Sequence, residues 1–254
     1  MRIGFAGAGN MAGAIARGWA AGDGGPEAML FCDLDSERAE ALAEQVGGDT
    51  RAKLTEIARD SDAVLLAVKP AALEAAAADL GDARAAISVL AATPVERLQR
   101  ALPGVPLVRV MPNQPVEVRR GVLCYVQPPD MSAEVAEPLL DLLGELGELV
   151  PMAEDRMEAA MAVMSCSPAY VAGFAERLTA AGEREGLDPK IAAELVIETI
   201  AGTAEQLRLR KPSVLMEAVA SPGGATEAGV QALERGGFGQ AIDAAVDASL
   251  ERFR

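Results

Sequence analysis

The sequence predicts an α/β protein, with a parallel-sheet domain at residues 1–152 and an all-helical domain at residues 153–254. In the first region short β-rich runs alternate with helical patterns, which indicates parallel βαβ units. Two of those runs, GFAGA and AVLLAV, are apolar throughout, as expected for strands that are covered on both faces. After Met152 the strand signal stops and only helical patterns follow.

Strand and helix patterns pair regularly along the first region. Each strand candidate is short and apolar, and each following segment has helical periodicity. The pairs are 2–6 with 11–21, 28–32 with 36–46, 63–68 with 71–80, and 85–90 with 94–102. Residues 106–110, 121–126 and 148–152 add three predicted strands, and residues 132–146 add a helix.

The second region holds helical segments at 154–163, 168–185 and 190–209, and from Phe238 to the end. Asp188 can cap the third of these, and Pro189 fits its first turn. Segments 168–185 and 190–209 are apolar around much of their circumference, which favours burial in an assembly. We therefore expect a homodimer, or a larger homo-oligomer built from dimers, with an ordinary intrachain core as the alternative.

Composition excludes several classes of function. The net charge of −15 disfavours nucleic-acid and anionic-membrane partners, although a few backbone amides can still bind a small anion. The chain has no histidine, which removes a Ser-His-Asp triad and imidazole metal sites. Cys32, Cys124 and Cys166 have no metal-binding spacing, so we expect no metal and reduced thiols. Without a leader pattern or a long apolar stretch, the expected location is the cytoplasm.

The most informative motif follows the first strand and opens the first helix. A G-x-G-x-x-A turn lets the backbone approach a pyrophosphate, and the small last residue allows close packing of helix on strand. This context predicts a Rossmann-type site for a dinucleotide. The residues are Gly7, Ala8, Gly9, Asn10, Met11 and Ala12.

Asp33 ends the second predicted strand, where a ribose-binding acid is expected. A carboxylate accepts hydrogen bonds from the adenosine 2′-hydroxyl and repels a 2′-phosphate, so Asp33 modestly favours NADH over NADPH. Arg38, about one helical turn further on, leaves NADPH open. A solvated turn acid is the alternative reading of Asp33.

Two further motifs stand at the ends of predicted strands, where open α/β sheets bind ligands. Pro70 and Pro112 end the strands and fix the following loops. From the residues alone, rigid turns are as plausible as direct contacts with a cofactor. The candidate cofactor-binding residues are Ala67, Val68, Lys69 and Pro70 in AVKP, and Asn113 in MPNQP.

A fourth motif, SPGGAT, precedes a helical segment that runs to about Glu234. Two glycines free the backbone to aim N–H groups at one point, and a helix N-terminus favours an anion. The loop is a candidate carboxylate site, with an ordinary helix-start loop as the alternative. Its residues are Ser221, Gly223, Gly224, Ala225 and Thr226.

Together these motifs resemble those of the pyrroline-5-carboxylate reductase family, and the resemblance extends to SPAYV at 167–171 and LERGGF at 233–238. It implies an N-terminal Rossmann domain and a helical domain that interleaves with a second subunit. The implied reaction is reduction of 1-pyrroline-5-carboxylate to L-proline, the last step of proline biosynthesis, with NADH or NADPH. By resemblance Thr226 and Lys69 are the catalytic candidates: the loop that contains Thr226 binds the substrate carboxylate and ring nitrogen, while Lys69 and Pro70 line the nicotinamide.

Hydride transfer to a protonated C=N bond requires alignment more than a strong base, so a chain without histidine can perform it. Two departures from the family pattern leave the substrate open: Met164-Ser165-Cys166 stands where the family has glycine, and Gln114 replaces threonine. A related reductase of another imine or ketone is one alternative. A non-catalytic dinucleotide-binding regulator is another, although such a protein has no need of a carboxylate loop.

Overall fold

The computed structural model describes residues 1–127 and 131–253, which form two compact units. The first comprises residues 1–166 together with Phe253, and the second comprises residues 167–252. The expected boundary lay after Met152, whereas the units divide after Cys166. The segment between belongs to the first unit because Met157 and Met161 are buried against Met111 and Cys124 of the sheet.

A mixed sheet lies at the centre of the first unit, with the strand order β3-β2-β1-β4-β5-β6-β7-β8 among the described residues. Its strands are β1 (Arg2–Ala6), β2 (Ala28–Cys32), β3 (Asp49–Thr50), β4 (Ala63–Leu66), β5 (Ala86–Ser88), β6 (Leu107–Pro112), β7 (Gly121–Val126) and β8 (Gly147–Pro151). All neighbouring pairs are parallel except β6 and β7.

The antiparallel pair departs from the expected parallel sheet. Only residues 113–120 connect β6 to β7, and a parallel crossover needs a dozen or more residues. The chain therefore turns back, and β7 runs antiparallel to β6. Strand β8, which follows α6, is parallel to β7 and so also runs opposite to β6.

Helices flank the sheet in the first unit. They are α1 (Asn10–Ala20), α2 (Ser36–Val46), α3 (Leu54–Asp60), α4 (Leu73–Ala78), α5 (Val95–Ala101), α6 (Ala133–Gly144) and α7 (Met157–Met164). Successive side chains of a strand point to opposite faces of the sheet, so the fully apolar strands contribute to two cores. Phe5 packs with Trp19 of α1 in one core, while Ala6 and Leu66 lie in the other. The expectation of strands covered on both faces is thus confirmed.

Two short elements have no counterpart in the sequence-based prediction. Strand β3 has two exposed residues, and α3 is only seven residues long, so neither carries a readable periodicity. Both follow α2. Strand β3 pairs with β2, and α3 packs beside β1 and β2.

The second unit is helical, as predicted. Its helices are α8 (Ser167–Arg184), α9 (Pro189–Leu209), α10 (Pro212–Val219), α11 (Ala225–Arg235) and α12 (Phe238–Phe253). The Asp188 side chain caps α9 by accepting from Lys190 N at 2.9 Å. Helix α10 was not predicted. The last residue of the predicted C-terminal helix, Arg254, lies outside the described residues.

Large apolar side chains remain exposed on the second unit. Helix α8 has no buried residue, and in α9 only Ala192 and Val196 are buried, in the part of the chain that the structure describes. Leu195 and Ile197 of α9 are 54% and 59% exposed. An ordinary intrachain core does not account for these helices. No helix within residues 1–127 and 131–253 has the length and apolar character needed to cross a membrane.

Candidate functional site

The glycine turn after β1 lies where the strand order reverses, between β1 and β4, which is the usual ligand position in open α/β sheets. Gly7 has φ +103°, and a Cβ on it would lie 2.8 Å from the carbonyl oxygen of Ala67. Its N–H donates to the Cys32 carbonyl at 2.8 Å. Glycine is therefore required at position 7 for both conformation and space.

The start of α1 is open to an anion. Gly9 is the N-cap residue and has no side chain with which to cap the helix, and the first turn contains no acidic residue. A Cβ on Gly9 would meet none of the described atoms within 4 Å. The first N–H groups of a helix have no intrahelical acceptor, so they remain available to a phosphate beside Gly9.

Asp33 joins the glycine turn to the loop after β2. Its Oδ2 accepts from Ala8 N at 2.7 Å, and its Oδ1 accepts from Asp35 N at 2.9 Å. The carboxylate therefore braces two backbone segments. This structural role is additional to the ribose contact that the sequence predicts.

The AVKP segment follows β4 beside the glycine turn. Ala67 N donates to Ala6 O at 2.9 Å, and the Lys69 side chain is exposed. Arg97 of α5 donates to the Pro70 carbonyl at 3.0 Å and also pairs with Glu74 at 2.9 Å. The hydrogen bond from Arg97 to Glu74 lowers the pKa of the Glu74 carboxyl group. Arg97, which sequence reasoning did not identify, thus fixes the backbone immediately after Lys69.

Asn113 lies at the end of β6, but its side chain is used within the protein. Oδ1 accepts from Val122 N at 2.8 Å, and Nδ2 donates to Met164 O at 3.1 Å. The amide thereby connects the loop to β7 and to the end of α7. This geometry favours a positioning role for the side chain, and a direct cofactor contact by Asn113 stays a prediction.

Gln114, one of the two departures from the family pattern, has a clear partner. Its amide donates to Glu117 at 3.0 Å, and Glu117 accepts from Arg17 of α1 at 2.8 Å. The hydrogen bond from Arg17 is the main cause of the lowered pKa of Glu117. These three side chains connect the loop after β6 to the helix that begins at the glycine turn.

The predicted cofactor-binding segments share one edge of the sheet. Strands β1, β2, β4 and β6 run in the same direction, so the residues after their carboxyl ends lie along that edge. These residues include Gly7, Asp33, Ala67 and Asn113. Within the described residues, no cluster of three or more acidic or sulfur ligands could hold a metal ion.

The SPGGAT loop lies at the start of α11 in the second unit. Gly224 is the N-cap residue, Gly223 has φ +75°, and Gly224 N donates to Ser221 O at 2.9 Å. The N–H groups of Ala225 and Thr226, in the first turn, have no acceptor within the helix. Both residues are exposed, so these amides can reach a ligand.

Glu227, in the first turn of α11, stabilises this loop, and the sequence patterns did not lead us to predict that role. It accepts from Gly223 N at 2.7 Å, and Gly224 N donates to Ser221 O at 2.9 Å, so the amides of these two predicted substrate-binding residues are engaged within the loop. The signal was present, because a glutamate three residues after an N-cap commonly bonds back to the residues before the helix. Gly223 therefore shapes the loop, while the amides of Ala225 and Thr226 remain.

An open α/β sheet with a glycine turn at the strand-order reversal and an acid after β2 is typical of a Rossmann-type, dinucleotide-binding protein. Residues 154–254 match the family model for pyrroline-5-carboxylate reductase dimerisation. Residues 2–92 match the model for NADP oxidoreductase, coenzyme F420-dependent. The chain belongs to the pyrroline-5-carboxylate reductase family, since it is 33% identical to the Synechocystis reductase over 99% of this chain and 97% of the relative.

Solved structures agree with this assignment. Pyrroline-5-carboxylate reductase from Streptococcus pyogenes superposes with a TM-score of 0.90 at 28% identity, over 100% of this chain and 98% of that one. The Plasmodium falciparum enzyme, solved with NADP bound, gives a TM-score of 0.88 at 25% identity, over 100% and 97% of the two chains. The predicted family and fold are confirmed. The match to a dimerisation domain also supports a homo-oligomer.

Proposed function

We propose that the protein reduces 1-pyrroline-5-carboxylate to L-proline, the last step of proline biosynthesis, with NADH or NADPH as the hydride donor. The observation that carries this conclusion is the presence in one chain of two anion-binding helix starts of different kinds. One is the glycine turn before α1, suited to a pyrophosphate, and the other is the SPGGAT loop before α11, suited to a carboxylate.

The first unit holds the dinucleotide in this proposal. The helix start at Gly9 receives the pyrophosphate, and Asp33 accepts from the ribose. The segment at Lys69, fixed by Arg97, lines the nicotinamide. When bound, the dihydronicotinamide supplies a hydride. The proposed cofactor-binding residues are Gly7, Ala8, Gly9, Asn10, Met11, Asp33, Ala67, Val68, Lys69, Pro70 and Asn113.

The second unit holds the imino-acid substrate. The amides of Ala225 and Thr226 and the Ser221 hydroxyl bind the substrate carboxylate, and the Thr226 hydroxyl hydrogen-bonds the ring nitrogen. Reduction adds a hydride to the imine carbon and leaves the proton on nitrogen, so the product is a secondary amine. The chain's residues need only orient the substrate and stabilise that proton.

The adenosine end of the site supports a preference for NADH. Asp33 places a carboxylate after β2, the fully exposed Leu34 has an apolar side chain, and Arg38 is paired with Asp35 at 3.2 Å. A 2′-phosphate would therefore meet negative charge without a free cation from these residues. A ribose 2′-hydroxyl would find an acceptor.

Assembly and location complete the proposal. The exposed apolar residues of α8 and α9 pack against a second copy, giving a homodimer on which larger oligomers are built. Cys32, Cys124 and Cys166 are free thiols, which suits the reducing cytoplasm. Burial raises the pKa of the Cys32 and Cys124 thiols and so disfavours their thiolate forms.

A steady-state assay tests the function. Oxidation of NADH should depend on 1-pyrroline-5-carboxylate and should yield L-proline in equal amount. Turnover of a different imine or ketone without turnover of pyrroline-5-carboxylate would instead favour a related reductase. Tight dinucleotide binding without turnover of any such substrate would favour a regulator.

A further inference from the structure

Three carboxylates and one guanidinium lie between the end of β2 and the end of the first turn of α2. Asp33, Asp35 and Glu37 carry the negative charges, and Arg38 carries the positive one. The residue between Asp33 and Asp35 is Leu34, whose fully exposed side chain can neither donate a hydrogen bond nor carry a charge. These charged groups lie in the segment that follows β2, where the adenosine ribose is expected.

Asp33 is tied to the backbone on both sides. One oxygen accepts from Ala8 N at 2.7 Å, inside the glycine turn, and the other accepts from Asp35 N at 2.9 Å. Replacing Asp33 would release the turn that receives the pyrophosphate, which NADH and NADPH share. A substitution there should weaken both cofactors and cannot isolate the cause of selectivity.

Asp35 has a different set of partners. It caps α2 by accepting from Arg38 N at 3.3 Å, and its Oδ2 lies 3.2 Å from the guanidinium of the same Arg38. The two side chains are 49% and 55% exposed, so the ion pair is in contact with solvent. Asp35 thus holds the Arg38 guanidinium, and its recorded bonds do not involve the glycine turn.

We propose that Asp35 is a selectivity-determining residue, which disfavours NADPH by holding Arg38 away from a 2′-phosphate. This inference rests on the proposed dinucleotide site. A phosphate monoester is the stronger partner for a guanidinium because it carries about two negative charges at neutral pH, whereas a carboxylate carries one. The intact pair leaves Arg38 neutralised, and the Asp35 charge repels the same phosphate.

Exposure of the pair makes the effect modest and reversible. Exposed ion pairs contribute little and are screened by salt, so Arg38 is free to move once Asp35 is uncharged. Asp35→Asn is the sharpest change, because asparagine keeps the helix-capping oxygen and removes only the charge. The bond from Asp35 N to Asp33 uses the backbone and is unaffected.

The test is fluorescence titration of the full-length protein with NADH and NADPH at low salt. Asp35→Asn should lower the Kd for NADPH by about 5-fold and leave the Kd for NADH within about 2-fold. The double variant Asp35→Asn/Arg38→Gln should lose that gain. The matched control, Glu40→Gln, removes a charge from an exposed position of α2 that pairs with no described cation, and should change neither constant.

An unchanged NADPH constant in Asp35→Asn, or a gain that persists without Arg38, overturns the inference. A wild-type protein that binds NADPH more tightly contradicts the proposed NADH preference, yet the ratio between variants still decides the role of Asp35. Binding of neither dinucleotide overturns the proposed cofactor site and this inference together. Binding without turnover of pyrroline-5-carboxylate counts against the proposed reaction alone.

Discussion

Gly7 lies against the backbone of Ala67, so that a Cβ at position 7 would come within 2.8 Å of the Ala67 carbonyl oxygen. This contact joins the turn after β1 to the AVKP segment after β4, at the point where the strand order reverses. The two segments most characteristic of the proposed cofactor site are therefore in direct contact.

Gly7 and Gly9 should respond differently to alanine. Gly7→Ala adds a clash and forces alanine into φ +103°, so both stability and NADH affinity should fall, with a loss of at least ~1–2 kcal/mol. Gly9→Ala meets no described atom, so the Tm should hold while NADH binding weakens by ~10-fold or more because the methyl group obstructs the pyrophosphate. Thermal melts with cofactor titrations separate the two. Equal effects on both properties in both variants would contradict the assignment.

The link between Arg17 and Glu117 should appear as a pH-dependent stabilisation. Arg17 lowers the pKa of Glu117 below its ordinary value of 4.5, so the pair stabilises the folded state above that value and loses the effect as the pH falls through the lowered pKa. Glu117→Gln should therefore reduce the Tm at pH 7, and the difference from wild type should vanish in acid. Glu40→Gln, an exposed change on α2, is the control. A constant difference between Glu117→Gln and wild type at every pH would refute this account.

The apolar faces of α8 and α9 should hold two copies together. Light scattering at micromolar concentration should give a particle of at least twice the 26.2 kDa chain mass. Leu195→Glu places a charge on the exposed apolar surface of α9 and should shift the population toward the monomer with helical content retained by circular dichroism. A wild-type protein that remains monomeric, or an unchanged oligomer in Leu195→Glu, would contradict the proposed dimer.

Local patterns predicted much of the fold. Strands β1, β2 and β7 and helix α2 have the predicted bounds because apolar runs and turn residues delimit them in the sequence. The antiparallel direction of β7 could have been inferred from the short connection after β6. The boundary after Cys166 could not have been inferred in this way, because it depends on how Met157 and Met161 pack against strands that are distant in the sequence.

The sequence predicted which segments form the candidate site. It did not predict the side-chain hydrogen bonds that connect those segments. Glycine turns and strand ends are local signals, whereas the partners of Asn113 and Arg17 lie up to a hundred positions away. The hydrogen bond from Gly223 N to Glu227 is local and could have been predicted. Glu227 stands three residues after the N-cap residue Gly224, a spacing at which glutamate often accepts from the backbone before the helix. Long-range side-chain pairs have no periodicity by which a sequence could reveal them.

The loop before α11 gives the central test, which compares kcat/KM for 1-pyrroline-5-carboxylate in the wild type and in Thr226→Ala, with L-proline measured as the product. The variant loses a hydrogen bond to the ring nitrogen and keeps the backbone amides of the helix start, so kcat/KM should fall by ~10–1000-fold while NADH affinity stays unchanged. Gly224→Val, which crowds the Ser221 carbonyl, should chiefly raise KM. Proline formation by the wild type with a selective loss in Thr226→Ala is the result that the account predicts. Full activity in Thr226→Ala, or no proline from the wild type, would contradict it.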